Sequence, residues 1–366
     1  MPVQLEWPTD RRLSEAPADR GKLYYDELAE KAKYFDQIVV TEPDHLINVL
    51  SELPEANNFL YRGVRESSYK LFNSLQRRLL TMPTLPPVTF RELWSRLVRH
   101  VREVRDGLLL RYFRAQGIEN ITDLGALAFL QHHAGPTPLL DWTYDLHKAL
   151  WFMVGEEAAT PASGSSHISE YASLYLIELD VVELLGVKKD VERVLGEVPE
   201  RAWNAAGTFK DIQKTLHDEI ETRWGVDMAK GFEEELRRRE RSSYFRSRLH
   251  KILDVNVLTS RPVTFVTDKD DMPDLALRLY NNLNLVNQDG AFVLNATPFV
   301  PLESVLPTVL IHDKPETPAI YCYDIHKRLF PLIRKQLDVV GCERRTVFVD
   351  PYEVCTEVGE AALERV

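Results

Sequence analysis

The pattern of apolar and polar positions is most informative at residues 126–155, where two apolar runs flank a polar, turn-rich centre. Apolar residues at helical spacing predict one helix over 122–132 and another over 146–155, with Thr143 or Asp145 as the N-cap of the second. The centre is expected to be a loop. Its hydrogen-bonding groups beside apolar walls suggest a functional site at Gln131, His132, His133, Thr137, Asp141, Trp142 and Thr143.

The rest of the chain predicts interspersed helices and strands. A cap signature at 41–44 and helical apolar spacing predict helices over 21–37, 43–53, 89–115, 274–285 and 329–340. Aromatic and β-branched runs predict strands at 58–63, 173–180, 262–267, 290–295, 319–325 and 346–350. Without a regular βαβ order, this pattern favours an α+β fold with a central mixed or antiparallel sheet flanked by helices.

Composition limits the classes of function. The 366-residue chain is 44% hydrophobic and 28% charged, enough for a sizeable core, and its net charge of −11 disfavours non-specific binding to nucleic acid or anionic membrane. Three cysteines, Cys322, Cys342 and Cys355, form no C-x-x-C motif, which indicates a reducing compartment. No secretory signal or membrane-length apolar run is recognisable, so a cytoplasmic location is expected.

Arg62 is the first candidate for ligand contact. It ends a predicted strand directly before Gly63, whose missing side chain would let the backbone approach a ligand. Arginine suits bidentate recognition of phosphate or carboxylate. The alternative is a structural Arg62 paired with Asp141.

The polar centre offers further candidates with open alternatives. His132 and His133 are adjacent and point in different directions, so at most one faces a site, as a general base or a hydrogen-bond donor or within a structural network. No metal site is expected. The Asp141–Thr143 segment either caps the next helix or places an anion at that helix N-terminus, and Trp142 either stacks on a planar base or anchors the core.

Several blocks of sequence resemble the FRG domain family, named for a Phe-Arg-Gly signature. They are Tyr61-Arg62-Gly63, Tyr69 to Arg77 with Asn73 at a usual proline, Gln131 to Thr143 with Pro138 at a usual arginine, Ala149 to Phe152, and Gln288 to Phe292. The resemblance covers about 45–350, interrupted by a charged, mostly helical insertion at 181–255. It divides the chain into a Pro-rich N-terminal arm or surface strap with a short helix (1–40), an N-terminal FRG half (41–180), the insertion, and a C-terminal half with a tail (256–366).

The resemblance implies a nucleotide-like ligand and a role in bacterial conflict or toxin biology. A weaker similarity to ADP-ribosyltransferase-like folds implies that NAD is a co-substrate. Arg62 would then hold the NAD pyrophosphate or ribose, Asp141 and Thr143 would shape the pocket, and Gln288 would complete the catalytic set. The implied ligand-binding residues are Tyr61, Arg62, Gly63, Gln131, His132, His133, Thr137, Trp142 and Thr143.

Two alternatives stand beside an NAD-using transferase or glycohydrolase. One is a non-catalytic module that binds a ligand or another protein, and the other is an RNA-processing or nuclease activity that uses the histidines. The basic stretch at 237–251 could bind nucleic acid, but neighbouring acidic residues favour a solvated helix there. No membrane partner is expected, and the macromolecular target is left open.

Overall fold

The computed structural model describes residues 11–53, 59–115, 121–133, 135–155, 167–186, 254–266, 287–310 and 319–348. The strands in these ranges are β1 (Asp36–Val40), β2 (Phe59–Val64), β3 (Leu139–Thr143), β4 (Tyr171–Glu178), β5 (Val263–Val266), β6 (Gly290–Asn295) and β7 (Tyr321–His326). The α-helices are α1 (Leu28–Lys31), α2 (Pro43–Glu52), α3 (Ser74–Thr81), α4 (Phe90–Ala115), α5 (Asp123–His132), α6 (Leu146–Val154), α7 (Leu179–Leu184), α8 (Val255–Leu258), α9 (Leu302–Leu310), α10 (Phe330–Val339) and α11 (Arg344–Val347).

All seven strands form one mixed sheet in the order β1-β7-β4-β2-β3-β6-β5. The edge strand β1 runs parallel to β7, and the other neighbours are antiparallel. This confirms the predicted α+β class with its central mixed sheet. The strands come from residues 1–40, 41–180 and 256–366, so segments far apart in sequence share one sheet.

Apolar clusters cover both faces of the sheet. On one face, α2, α6 and α10 pack over the β1–β7–β4–β2 half, while α3, α4, α5 and α8 pack over the β3–β6–β5 half. The opposite face carries a single cluster that α9 and residues Tyr25 and Phe35 cover. The first face is therefore divided at the junction between β2 and β3. None of the described helices has both the length and the apolar character needed to cross a membrane.

The N-terminal segment is bound to the body of the protein. Leu13 is fully buried and its N–H donates to the Val88 carbonyl, and the Arg20 guanidinium donates to the carbonyls of Leu79 and Met82. Residues 11–20 therefore form a strap; residues 1–10 are outside the described range.

The helix predicted over 21–37 is wrong for most of its length. Only α1 is helical there, and β1 begins at Asp36. Tertiary pairing prevails over local preference, because the Tyr25 N–H donates to the Ser68 carbonyl and β1 pairs with β7 along its length.

The predicted central loop is also wrong in part, because Leu139–Thr143 is strand β3 in the middle of the sheet. The flanking helices are confirmed as α5 and α6, and Asp145 is the N-cap of α6. The helix predicted over 89–115 is interrupted at Val104–Gly107, where Arg105, Asp106 and Gly107 have φ of 47°, 54° and 73°.

The strand predicted at 346–350 is wrong, since the residues up to Val347 belong to α11. A capping box causes this: the Glu343 N–H donates to Thr346 Oγ1, and the Glu343 side chain accepts from the Thr346 backbone. The helix predicted over 274–285, residues 349–350 and nearly all of the predicted 181–255 insertion lie outside the described residues.

Candidate functional site

A cavity opens where the sheet loses its pairing between β2 and β3. Within these two described strands the pairing is limited to Tyr61 with Thr143, whereas β2 pairs with β4 at six positions and β3 with β6 at five. The strands diverge from this pair, and a cavity of about 590 Å³ lies against the opening. Small-molecule sites typically measure about 300–1,000 Å³.

Gly63 lets helix α6 approach β2 closely. A Cβ atom at Gly63 would lie 1.8 Å from the carbonyl oxygen of Ala149 and 2.8 Å from the backbone nitrogen of Met153. No side chain fits between strand and helix at this position. The sequence assigns the small residue to ligand approach; the structure shows that it also serves packing, although Gly63 lines the cavity.

Arg62 spans the opening between the diverging strands. Its Nη1 donates to the backbone carbonyl of Asp141 on β3. The predicted pairing of Arg62 with Asp141 is therefore present, but it is made to the backbone carbonyl of Asp141. The backbone of β2 does not pair with Asp141, because the described β2–β3 pairing consists of Tyr61 with Thr143. The Arg62 Nε is buried and has no hydrogen-bond partner among the described residues. Burial lowers the pKa of Arg62, but a guanidinium remains protonated in proteins.

The carboxylate of Asp141 is held at the cavity wall by a short relay. Gln131 Nε2 donates to Asp141 Oδ2 at 2.6 Å, and Thr137 Oγ1 donates to Gln131 Oε1. Thr137 also accepts from the Leu139 N–H at 3.3 Å, which ties the relay to the start of β3. Asp141 is exposed and lines the cavity, and this relay holds its Oδ2.

A second relay links β3 to the C-terminal part of the chain. Thr143 Oγ1 donates to the Gln288 carbonyl at 2.6 Å and accepts from the Asp145 N–H at 3.0 Å. The Gln288 side-chain Nε2 donates to the Val347 carbonyl at 3.3 Å. Gln288 therefore connects β3 to α11 through two hydrogen bonds, one at its backbone carbonyl and one at its side-chain amide nitrogen.

Positive charge predominates in the cavity. Its described lining contains four basic side chains, Arg62, Arg65, Lys70 and Arg77, and one acidic side chain, Asp141. Arg77 follows the N-cap of α3, where Asn73 and Gln76 form a capping box, and its Nη1 donates to the Phe72 carbonyl at 2.9 Å. Burial lowers the pKa of Arg77, and the charge of Arg77 in turn lowers that of Arg62. Arg62 and Arg77 are therefore close enough to repel each other, and Asp141 is the one acidic side chain in the described lining beside them.

Aromatic side chains form much of the remaining wall. Tyr24 and Tyr69 pair with ring centroids 5.4 Å apart, and Phe152 meets Phe348 at 5.9 Å. Trp142 is 3% exposed and belongs to the core, although its buried Nε1 has no partner among the described residues. The site combines flat apolar surfaces with excess positive charge.

A family profile for the FRG domain matches residues 57–161. The matched range holds β2 with its Tyr61–Gly63 signature, the capped helix α3, and the β3–α6 unit. The chain contains an FRG domain. Comparisons with curated proteins and with solved structures gave no significant match.

The cavity of this FRG domain extends beyond the matched range. Leu23 and Tyr24 from the N-terminal segment, and Gln288 and Phe348 from the C-terminal half, also line it. The Tyr24 segment is held by a bridge to Tyr69, and Phe348 follows α11 directly. A complete cavity therefore needs residues on both sides of the FRG match.

Most of the predicted site residues come together in the FRG cavity. Those that line it are Tyr61, Arg62, Gly63, Gln131, Asp141, Trp142, Thr143 and Gln288. Thr137 is fully buried behind Gln131, and His133 is exposed with its ring 4.4 Å from that of Phe129; both lie outside the lining. The side chain of His132 is outside the described part of the structure.

Sequence reasoning missed the outer part of the wall. Arg77, Tyr69 and Phe152 lie in the blocks that resemble the FRG family, so those blocks contain a signal that could have found them. Tyr24 and Phe348 lie in segments with no such signal, and their position depends on tertiary pairing. Among the described residues, no group of three or more His, Cys, Asp or Glu side chains is placed to hold a metal ion.

Proposed function

We propose that the β2/β3 cavity binds a nucleotide-like anionic ligand, with NAD as the first candidate. The observation that carries this is the Arg62–Arg77 pair beside a single carboxylate in an aromatic-walled cavity. Like charges in a partly buried site repel each other, and a bound anion relieves that repulsion. Guanidinium groups match phosphate geometry, because each offers parallel N–H donors.

The proposed reaction is cleavage of the bond between the ribose of NAD and nicotinamide, by glycohydrolysis or ADP-ribosyl transfer. The C–N bond breaks with its electron pair leaving on nicotinamide, and positive charge develops on the ribose. A nearby carboxylate stabilises such charge. Water or the target nucleophile then bonds to that ribose carbon, and Asp141 supplies the carboxylate and accepts the nucleophile's proton. Gln288 is neutral, and its side-chain Nε2 donates to the Val347 carbonyl. Gln288 is therefore assigned a positioning role rather than the catalytic role that the resemblance implies.

The test is titration of the full-length protein with NAD by calorimetry, followed by chromatography for released nicotinamide. We expect Arg62→Ala and Arg77→Ala to weaken NAD binding at least about tenfold each, because each removes charge-assisted hydrogen bonds. Arg111→Ala, at an exposed arginine of α4 outside the cavity lining, is the matched control and should bind as the wild type does. Equal NAD affinity in all four proteins, or no binding at all, would refute the proposal.

A non-catalytic binding module is the second candidate. It is favoured by the bonding of Gln288, because the third position of the expected catalytic set serves to join β3 to α11. This second function would be identified if NAD binding depends on Arg62, NAD is recovered intact, and Asp141→Asn binds NAD with the affinity of the wild type. The position of His133 outside the cavity gives the nuclease alternative no support. The toxin or defence role and the cytoplasmic location stay predictions.

A further inference from the structure

The cavity has aromatic surfaces at two separate places. One is the pair Tyr24 and Tyr69, which are 49% and 43% exposed. The other is Phe348, 38% exposed, which packs edge-on against Phe152. Exposed aromatic rings at a cavity are poorly placed for the core and well placed to stack on a planar ligand.

The two aromatic surfaces line the same cavity as the two arginines. Tyr24, Tyr69 and Arg77 line it together with Asp141. Asp141 lies two residues from Thr143 on β3, which is about 7 Å of extended chain. Thr143 Oγ1 donates a hydrogen bond to the Gln288 carbonyl, and Gln288 Nε2 donates one to the carbonyl of Val347, the residue before Phe348. The cavity therefore holds two aromatic surfaces, carried by different segments of the chain, together with Arg62 and Arg77.

From this combination of two aromatic surfaces and two arginines in one cavity we infer that the cavity accommodates a dinucleotide, with one planar ring on each aromatic surface and a pyrophosphate at Arg62 and Arg77. This inference rests on the proposed function and narrows its ligand class. A mononucleotide has one ring and would occupy one surface. A pyrophosphate-linked pair of nucleosides would engage both surfaces and Arg62 and Arg77 at once.

Lys70 supports the assignment of the Tyr24–Tyr69 surface to a charged ligand. Its Nζ lies 5.0 Å from the ring centre of Tyr25. Burial raises the pKa of Glu303, and the charge of Lys70 partly opposes that rise. Lys70 lines the cavity together with Tyr24 and Tyr69, so positive charge accompanies this aromatic surface. Such a combination suits a phosphorylated nucleoside.

The experiment compares AMP, nicotinamide mononucleotide and NAD as ligands of the full-length protein by calorimetry. The proteins are the wild type, Tyr69→Ala, Phe348→Ala and the control Tyr112→Ala, an exposed aromatic of α4 outside the cavity lining. We expect the wild type to bind NAD at least about tenfold more tightly than either mononucleotide, since stacking of a second ring adds to the binding free energy.

The variants then locate each ring. Tyr69→Ala and Phe348→Ala should each weaken NAD about tenfold, while each mononucleotide should respond to one of them and not to the other. The inference is wrong if NAD binds no more tightly than the better mononucleotide, a comparison that needs no variant. It is also wrong if both substitutions weaken the same mononucleotide. If a mononucleotide binds in a way that depends on Arg62 and NAD binds no more tightly, the dinucleotide inference fails and the proposed function stands. If none of the compounds binds, both proposals fail.

Discussion

Gly63 shows how one residue of the FRG signature determines the packing around the cavity. Its Cα faces the backbone of α6, and the atoms that a Cβ at this position would meet belong to the main chain of Ala149 and Met153. Backbone atoms in a helix cannot rotate away as a flexible side chain does. The close approach of α6 to β2 therefore depends on the absence of a single carbon atom.

Gly63→Ala should lower the free energy of unfolding by about 3 kcal/mol or more, because the added methyl group overlaps helix backbone. Gly21→Ala is the matched control: no atom lies within 4 Å of the new Cβ, and its φ of 90° costs about 1–2 kcal/mol of strain. Urea denaturation followed by tryptophan fluorescence measures both. Equal losses in the two variants would contradict the packing argument.

A second residue-scale feature is an ion pair sealed inside the protein. Lys31 and Asp324 are fully buried, with Lys31 Nζ 2.6 Å from Asp324 Oδ1, and the hydroxyls of Ser67 and Ser173 also donate to that oxygen. Burial alone would raise the pKa of Asp324, but Lys31 and the two serines outweigh it and hold the pKa below its ordinary value. The pair fastens the N-terminal segment to β4 and β7.

Asp324→Asn should lower the free energy of unfolding by about 3–5 kcal/mol, because it leaves Lys31 charged and unpaired in the interior. Since the folded-state pKa of Asp324 is lowered, its stabilising contribution is present above the unfolded value of about 3.9 and is lost as the pH falls through the folded value. Adding Lys31→Met to Asp324→Asn should recover part of the loss at pH 7. Urea titrations of the wild type, both single variants and the double variant measure this; a double variant less stable than Asp324→Asn would argue against an uncompensated lysine.

At the scale of elements, helix α6 is positioned by its N-cap as well as by Gly63. Asp145 Oδ1 accepts from the backbone N–H groups of His147 and Lys148. Burial would raise the pKa of Asp145, but the hydrogen bond with His147 and the charge of Lys148 lower it to about 2. The cap thus combines a hydrogen-bond acceptor with a negative charge at the helix N-terminus.

Asp145→Ala should cost about 1–2 kcal/mol of stability at pH 7, and Asp145→Asn less, because asparagine keeps the cap and loses only the charge. The folded-state pKa is lowered, so the charge contributes fully above pH of about 4 and its contribution disappears as the pH falls through about 2. The difference between wild type and Asp145→Asn should therefore be smaller at pH 3 than at pH 6 in urea titrations. A pH-independent difference would mean that the charge plays no part.

The helices with strong apolar periodicity were predictable from the sequence, and α2, α5, α6 and α10 were confirmed. Strand β3 was not, because Asp141 and Thr143 are polar and prolines precede it. Both polar side chains form hydrogen bonds within the protein at the cavity: Asp141 accepts from Gln131, and Thr143 donates to Gln288. Hydrophobic patterns fail to predict a central strand that carries a site, because the site requires polar residues at positions where a buried strand ordinarily has apolar ones.

At the scale of the whole molecule, the central sheet is assembled from three distant segments of the chain. Within the FRG match, 57–161, the described strands are β2 and β3, whose main neighbours β4 and β6 lie outside it. The sequence therefore predicted the part of the cavity wall that centres on β2 and β3. The positions of Tyr24 and Phe348 in the wall could not be predicted, because they depend on contacts between residues far apart in sequence. Tyr24 pairs with Tyr69, 45 residues away, and Gln288 donates to Val347, 59 residues away and next to Phe348.

The fragment 57–161 should accordingly fail to fold by itself, since it retains β2 and β3 with one strand pair between them. A sheet of this size without neighbours is not stable in water. Thermal melts followed by circular dichroism should be broad and featureless for the fragment and sigmoidal for the full chain. A cooperative melt of the fragment would show that the match alone is a folding unit.

The single pair between Tyr61 and Thr143 has a consequence for hydrogen exchange. Central strands of a sheet ordinarily protect their amide protons, and edge strands do not. Beyond that pair, the sides of β2 and β3 that face each other border the cavity. Part of the middle of this sheet should therefore exchange deuterium as fast as an edge, and a ligand that fills the cavity should slow that exchange at the centre of the protein first.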